Sequence, residues 1–207
     1  MITRYKLVFG IGILAFSLLS SNVLADPAED MARANVFYEK QELADAYAIL
    51  RKIAEQNYAP AQARLGEILD YTEVDEEAVG WLLMAAIQGD ASGAFGLGKM
   101  YLSGEGIKKD PNQALFWIKY AAEKDNLNAI RALENAYRTG ATSGLPVTVD
   151  LKQAQFWEAK KTPMEAALRK VEEEKKQAAL TERYERQEAR KKADKEAAEK
   201  AKQGQAK

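Results

Sequence analysis

Carboxylates are the chemistry this sequence has in quantity: 31 Asp and Glu residues, against no histidine and no cysteine. Pairs of acidic side chains could share a cleft and act as general acid and base. The acidic positions Asp70, Asp75, Glu76 and Glu77, however, sit near a helix start, where exposed amides favour negative charge. The missing residue types exclude imidazole and thiolate zinc sites, Ser-His-Asp and Cys-His nucleophiles, and any disulfide. No serine is followed three positions later by lysine, which removes an S-x-x-K nucleophile. The glycines from Leu97-Gly98 to Gly104-Glu105-Gly106 have no strand before them and no G-K-S/T, so they read as turn residues, not a phosphate loop. The expectation is a protein without catalytic residues, cofactor or metal.

The elements that would position any functional side chain come from a recurring skeleton. Leu97, Gly98 and Tyr101 are followed by Gly104, Gly106, Asp110, Ala114, Trp117, Ala121 and Ala122. Upstream, Ala61, Leu65, Gly66 and Leu69 lead to Asp75, Ala78, Trp81, Ala85 and Ala86; downstream, Ala129, Leu133 and Tyr137 lead to Gly140, Asp150, Ala154 and Trp157. Lys160-Lys161 stands near the third expected Ala-Ala pair, and Ala46, Ile49, Ala54 and Asn57 fit the second half of an earlier copy. Helix spacings hold while connections lengthen, as stacked helical hairpins require. Leu97 and Tyr101, like Trp117 and Ala121, are four apart and share a helical face. Small residues let helices approach, and the bulky Trp81, Trp117 and Trp157 are expected to be sealed at equivalent places between layers.

Punctuation agrees with the periodicity. Gly104 and Gly106 suit the stop of a first helix. Asp110-Pro111-Asn112-Gln113 reads as an N-cap, a first-turn proline and a glutamine able to reach back to the cap; Asp150 to Gln153 repeats the cap and the glutamine. Either Thr72 or Asp75 could cap the second helix of the first copy. The fold expected is all-α, an αα-hairpin repeat solenoid, with repeats at about 57–88, 89–124 and 125–161 plus a partial N-terminal hairpin, inside a domain spanning 26–163.

This skeleton resembles the Sel-1-like repeat family, short relatives of the tetratricopeptide repeat with the form A-x-x-x-L-G-x-x-Y, G-x-G, D-x-x-x-A-x-x-W-x-x-x-A-A. The central copy matches nearly throughout, with Gly93 in place of the leading alanine. The first has Leu69 for tyrosine and lacks the double glycine; the third has Glu134 for glycine and loses the Ala-Ala pair. The resemblance spans roughly residues 28 to 160 and implies a scaffold for protein assembly, with architectural repeat residues.

Residues 1–25 read as a secretory signal: Arg4 and Lys6, an apolar run from Leu7 to Leu19, then Val23-Leu24-Ala25 before Asp26, with cleavage after Ala25. The alternative is an uncleaved anchor from Leu7 to Ala25. A bacterial periplasm or exterior is the expected destination, without lipid attachment, as no cysteine follows.

Beyond Thr162-Pro163, residues 164–207 contain no proline, tryptophan or phenylalanine. Glu165 and Arg169, Glu172 and Lys176, Glu182 and Arg186, Glu188 and Lys192, and Glu196 and Lys200 are spaced for ion pairs along a helix. The tail is expected to be a long charged helix, partly disordered at its far end. Met164, Leu168, Val171 and Ala178 offer a possible seam that Lys175, Glu182 and Glu185 interrupt. Its first half is placed against the last repeat as a cap, its second half free. The tail carries 13 basic and 10 acidic residues, and residues 26–163 carry 15 and 21. Lysines after Arg190 could touch anionic envelope polymers. Export and the absence of interleaved aromatics disfavour nucleic acid.

First helices of stacked hairpins line the concave side. Repeat register then selects Arg64, Glu67 and Tyr71, Lys99 and Ser103, and Asn135 with Thr139 as partner-binding candidates, with Arg131 and Arg138 as alternatives. The plain alternative is an ordinary exposed face. The expected function is an exported, non-catalytic protein-interaction module of the cell envelope. The competing reading is a cell-wall-associated enzyme, or regulator of one, using groove carboxylates.

Overall fold

The computed structural model describes residues 26–204; the apolar segment assigned as an export signal lies outside the described residues. Helices joined by turns make up these residues, with no strand among them: α1 Pro27–Glu39, α2 Leu43–Ala54, α3 Ala59–Tyr71, α4 Asp75–Ile87, α5 Ala91–Ser103, α6 Pro111–Glu123, α7 Leu127–Thr139 and α8 Leu151–Gly204. Each helix packs on the next, and α3 also packs on α5, so hairpin stacks on hairpin. The half-copy expected upstream is a complete hairpin, α1 with α2.

One backbone bond closes all four hairpins despite their unequal connections. The N–H of Glu42 donates to Phe37 O, Val74 to Leu69 O, Asp110 to Tyr101 O and Asp150 to Tyr137 O, at 2.8 to 2.9 Å across spans of five, five, nine and thirteen residues. Equivalent bonds join hairpins, from Tyr58 to Ile53 O, Asp90 to Ala85 O and Asn126 to Ala121 O. At the five-residue closures the preceding residue is left-handed: Gln41, Asn57, Glu73, Gly89 and Asp125 have φ between 61° and 92°. This is the helix-ending geometry that glycine usually supplies. Here four of the five are not glycine and absorb about 1 kcal/mol or more each.

The same bond explains a departure at the caps. Asp110 Oδ1 accepts from Asn112 N and Gln113 N at 2.9 and 3.1 Å, and Asp150 repeats this with Lys152 and Gln153. The Gln113 side chain does not reach back, because the Asp110 N–H is already bound to Tyr101 O. In α4 neither Thr72 nor Asp75 is the cap; Val74 holds that position without a side-chain bond, and Thr72 Oγ1 turns back to Ile68 O and Leu69 O.

Glycine sets the spacing inside the stack. A Cβ at Gly66 of α3 would lie 2.6 Å from Leu82 Cγ, and one at Gly96 of α5 would lie 2.6 Å from Leu82 Cδ2. Leu82 of α4 thus wedges between two first helices, where its full burial contributes about 2 kcal/mol. Ile118 occupies the equivalent place against Gly98, at 2.7 Å from the would-be Cβ. Gly93 meets Ala85 so closely that alanine would not fit, which explains the missing leading alanine of that copy. The three tryptophans do occupy equivalent positions against the core but unequally: Trp81 and Trp117 are half-buried, whereas Trp157 is 6% exposed.

No helix break marks Thr162-Pro163. Helix α8 begins at Leu151 and continues through Pro163, whose missing N–H leaves Ala159 O without its helical donor. Its 54 residues extend about 80 Å. Ala154, Trp157 and Met164 pack on the body, but every described side chain from residue 166 to 195 is exposed. The first half of the tail therefore does not lie against the last repeat as expected: only Met164 and Glu165 at its start touch the body, and the anticipated seam has no cover among the described residues. Of the expected ion pairs, Glu182 and Arg186 meet at 2.6 Å; Glu188 takes Lys191, and Glu165 leaves Arg169 for Arg131 of α7.

Candidate protein-binding groove

The first-helix face carries a groove of about 420 Å³ that crosses α1, α3, α5 and α7. Arg64, Glu67, Asp70 and Tyr71 line it from α3, Phe95, Gly96 and Lys99 from α5, with Tyr38 and Asn128 at the margins and Leu82 beneath. Lacking a side chain, Gly96 leaves open the space that Arg64 fills one repeat earlier. Tyr71 also borders a smaller cavity of about 160 Å³ with Tyr38, Gln41, Leu43 and Ile68. At 75% exposed, it stands as a wall between two depressions.

Charge in the groove is organised in pairs. Arg64 Nη1 donates to Glu67 Oε2 at 2.8 Å while its guanidinium lies 4.6 Å from the Tyr38 ring centroid; its Nε is buried without a partner. Lys99 Nζ reaches Asp70 Oδ2 at 3.1 Å, tying α5 to α3. Burial raises the Glu67 carboxyl above its ordinary range, outweighing the attraction of Arg64 and Lys99, with Asp90 adding repulsion. The result is a mixed surface of paired charges with an aromatic wall, able to offer both apolar and polar contact.

Four of the seven residues chosen by register, Arg64, Glu67, Tyr71 and Lys99, come together here. Ser103, Asn135 and Thr139 do not line the groove. Ser103 is used by the turn after α5, bonding Met100 O and Glu105 N, and Thr139 Oγ1 donates to Asn135 O. The alternatives Arg131 and Arg138 are drawn toward α8, onto Glu165 and onto Glu134 with Glu158. Tyr38, Phe95, Gly96 and Asn128 were missed because equivalent positions elsewhere carry unrelated residues; only the complete upstream hairpin brings Tyr38 over Arg64. Among the described residues no cluster of acidic side chains could hold a metal ion.

Comparison with known proteins agrees with this architecture. Residues 59–90 and 91–126, which are α3–α4 and α5–α6 with their turns, match the Sel1 repeat model. Residues 59–126 thus resemble two consecutive Sel1 repeats. A crystal structure of a Sel1 repeat protein from Oxalobacter formigenes is 30% identical, covers 67% of this chain and 59% of its own, and superposes with a TM-score of 0.55. A protective antigen of uropathogenic Escherichia coli displaying an SLR fold is also 30% identical, covering 72% of this chain and 34% of its own with a TM-score of 0.57. An uncharacterized protein of Neisseria meningitidis serogroup B is 30% identical over 118 residues, 57% of this chain and 24% of that protein. The chain thus spans about a quarter of that relative, whose additional length has no counterpart in the match. Sel1 repeats are in general protein-interaction modules, and no described helix is long and apolar enough to cross a membrane.

Proposed function

We propose that this chain is an exported, non-catalytic scaffold of the bacterial envelope that holds an extended segment of a partner protein across α3 and α5. The carrying observation is the convergence of Arg64, Glu67, Tyr71 and Lys99, with Tyr38 and Phe95, on one groove. Export rests on the N-terminal pattern ending at Ala25, and α8 acts as a spacer or second contact whose basic end touches anionic polymers. A photoreactive residue placed at Phe95 should crosslink a discrete partner in cells. Tyr71→Ala and Arg64→Ala should each reduce that capture about tenfold or more, the scale of anchor residues, with helicity unchanged. Equal capture by both variants argues against the groove.

The raised Glu67 carboxyl favours one second reading, in which it serves as a general acid on a cell-wall substrate. Turnover of peptidoglycan fragments that disappears in Glu67→Gln, while partner capture persists, would select it.

A further inference from the structure

On the opposite side of the stack, the outward stripe of α4 differs from its counterparts. Its positions are Gly80, Leu83, Met84 and Ile87, with the last three 41%, 40% and 70% exposed. Repeat-equivalent positions to Leu83, Met84 and Ile87 hold Arg51, Lys52 and Glu55 in α2, and Lys119, Tyr120 and Glu123 in α6. From Ala78 to Ile87, α4 has no charged residue on any face. A helix apolar on all sides is ordinarily covered on all sides.

Gly80 supplies a second observation. Gly66, Gly93, Gly96 and Gly98 are each required by a neighbouring side chain, but nothing lies within 4 Å of where a Gly80 Cβ would be. Glycine in a helix interior is unfavourable, and this one meets no neighbour among the described residues that requires it. It leaves a dent in the apolar stripe, one turn before Leu83 and two before the protruding Ile87.

We propose that α4 is the surface through which two copies of this chain associate, antiparallel about a two-fold axis between Leu83 and Met84. That axis brings Ile87 of each copy over Gly80 of the other, filling a hole with a knob, and pairs Leu83 with Met84. Charge is complementary in the same arrangement. Glu76 lies one turn before Gly80, and Lys124 lies past the far end of α4, its Nζ 3.6 Å from a Cβ at Gly89. Neither Glu76 nor Lys124 has an ion-pair partner among the described residues. Antiparallel pairing carries each Glu76 toward Lys124 of the other copy, and opposes the two helix dipoles. The grooves on the first-helix faces stay free, so the dimer would hold two partner segments at once.

Sedimentation equilibrium of the chain from residue 26 onward, at up to about 0.1 mM, well above a micromolar dissociation constant, tests this. A dimer is expected, weakened about 30-fold or more by Ile87→Glu and by Gly80→Leu, a hot-spot loss. Gly80→Leu should leave the thermal midpoint of the dilute monomer equal or higher, which separates lost association from lost folding. Glu76→Lys and Lys124→Glu should each weaken the dimer, and the double exchange should restore it. A monomer at the highest concentration overturns the proposal. So does a dimer indifferent to Ile87→Glu and Gly80→Leu.

Discussion

Between α3 and α4, and again between α5 and α6, a glycine meets a branched aliphatic side chain; between α7 and α8 the same two positions hold Glu134 and Glu158. Around them Lys161 Nζ lies 2.5 Å from Glu134 Oε2, and Arg138 Nη2 lies 2.6 Å from Glu134 Oε1 and 3.3 Å from Glu158 Oε2. The internal junctions are covered by a further helix and must be dry, so their contacts are apolar and their spacing is set by glycine. Among the described residues no hairpin follows the α7–α8 junction. Solvent reaches its ions, so a charged clamp is tolerated where a buried one would be costly. Lys160 belongs to the same solution: it caps the end of α6 through Ala122 O at 2.7 Å and meets Asp125 at 2.9 Å.

The comparison is broken most severely at Gly98. Gly98→Leu should destabilise the chain by about 3 kcal/mol, because the added side chain meets both Ile118 and the Ala114 carbonyl; thermal or urea unfolding reads this. Glu134→Ala, at the equivalent terminal position, should cost only about 1 kcal/mol, as expected for a solvent-accessible network. Equal losses would mean that the two junctions are not built on different principles.

The terminal clamp should also depend on pH. The hydrogen bond from Lys161, followed by that from Arg138, holds the Glu134 carboxyl below its ordinary value of 4.5 despite some burial. A depressed folded-state value contributes stability that is present above the unfolded value and lost as pH falls through the folded one. Glu134→Gln should therefore matter at pH 7 and become neutral at strongly acidic pH, in paired denaturation curves. Glu67 has the opposite sign. Burial raises it, so its contribution is present below 4.5 and fades as pH rises through the folded value. Glu67→Gln should gain stability relative to wild type on going from pH 4 to pH 7, read from paired denaturation curves.

The smallest contrast lies in the caps. Asp110→Ala should cost about 1 kcal/mol, whereas Gln113→Ala should change stability by less than about 0.5 kcal/mol, since the Asp110 N–H it would accept from is already donated to Tyr101 O. A cost at Gln113 matching that at Asp110 would restore the reciprocal cap.

Much of the solenoid was legible because its signals are local or periodic. Ala, Leu and Trp recur at helical intervals, and Asp110 and Asp150 announce helix starts with a side chain that must bond nearby amides. The turns at Gln41 and Glu73 were not legible, since long polar side chains carry no mark of the left-handed geometry imposed on them by the five-residue closures. Pro163 misled in the other direction: it suggests a boundary, but ongoing helix on both sides carries the chain through it.

The sequence by itself determined that helices form, how they pair and which positions face inward, because those properties depend on neighbours three to five residues away. Tertiary structure alone decided that Tyr38 stacks on Arg64, that Arg131 and Arg138 turn to α8, and that Ser103 and Thr139 serve their own turns. Those outcomes depend on which side chains from distant hairpins compete for the same partner, and competition of that kind has no period along the chain.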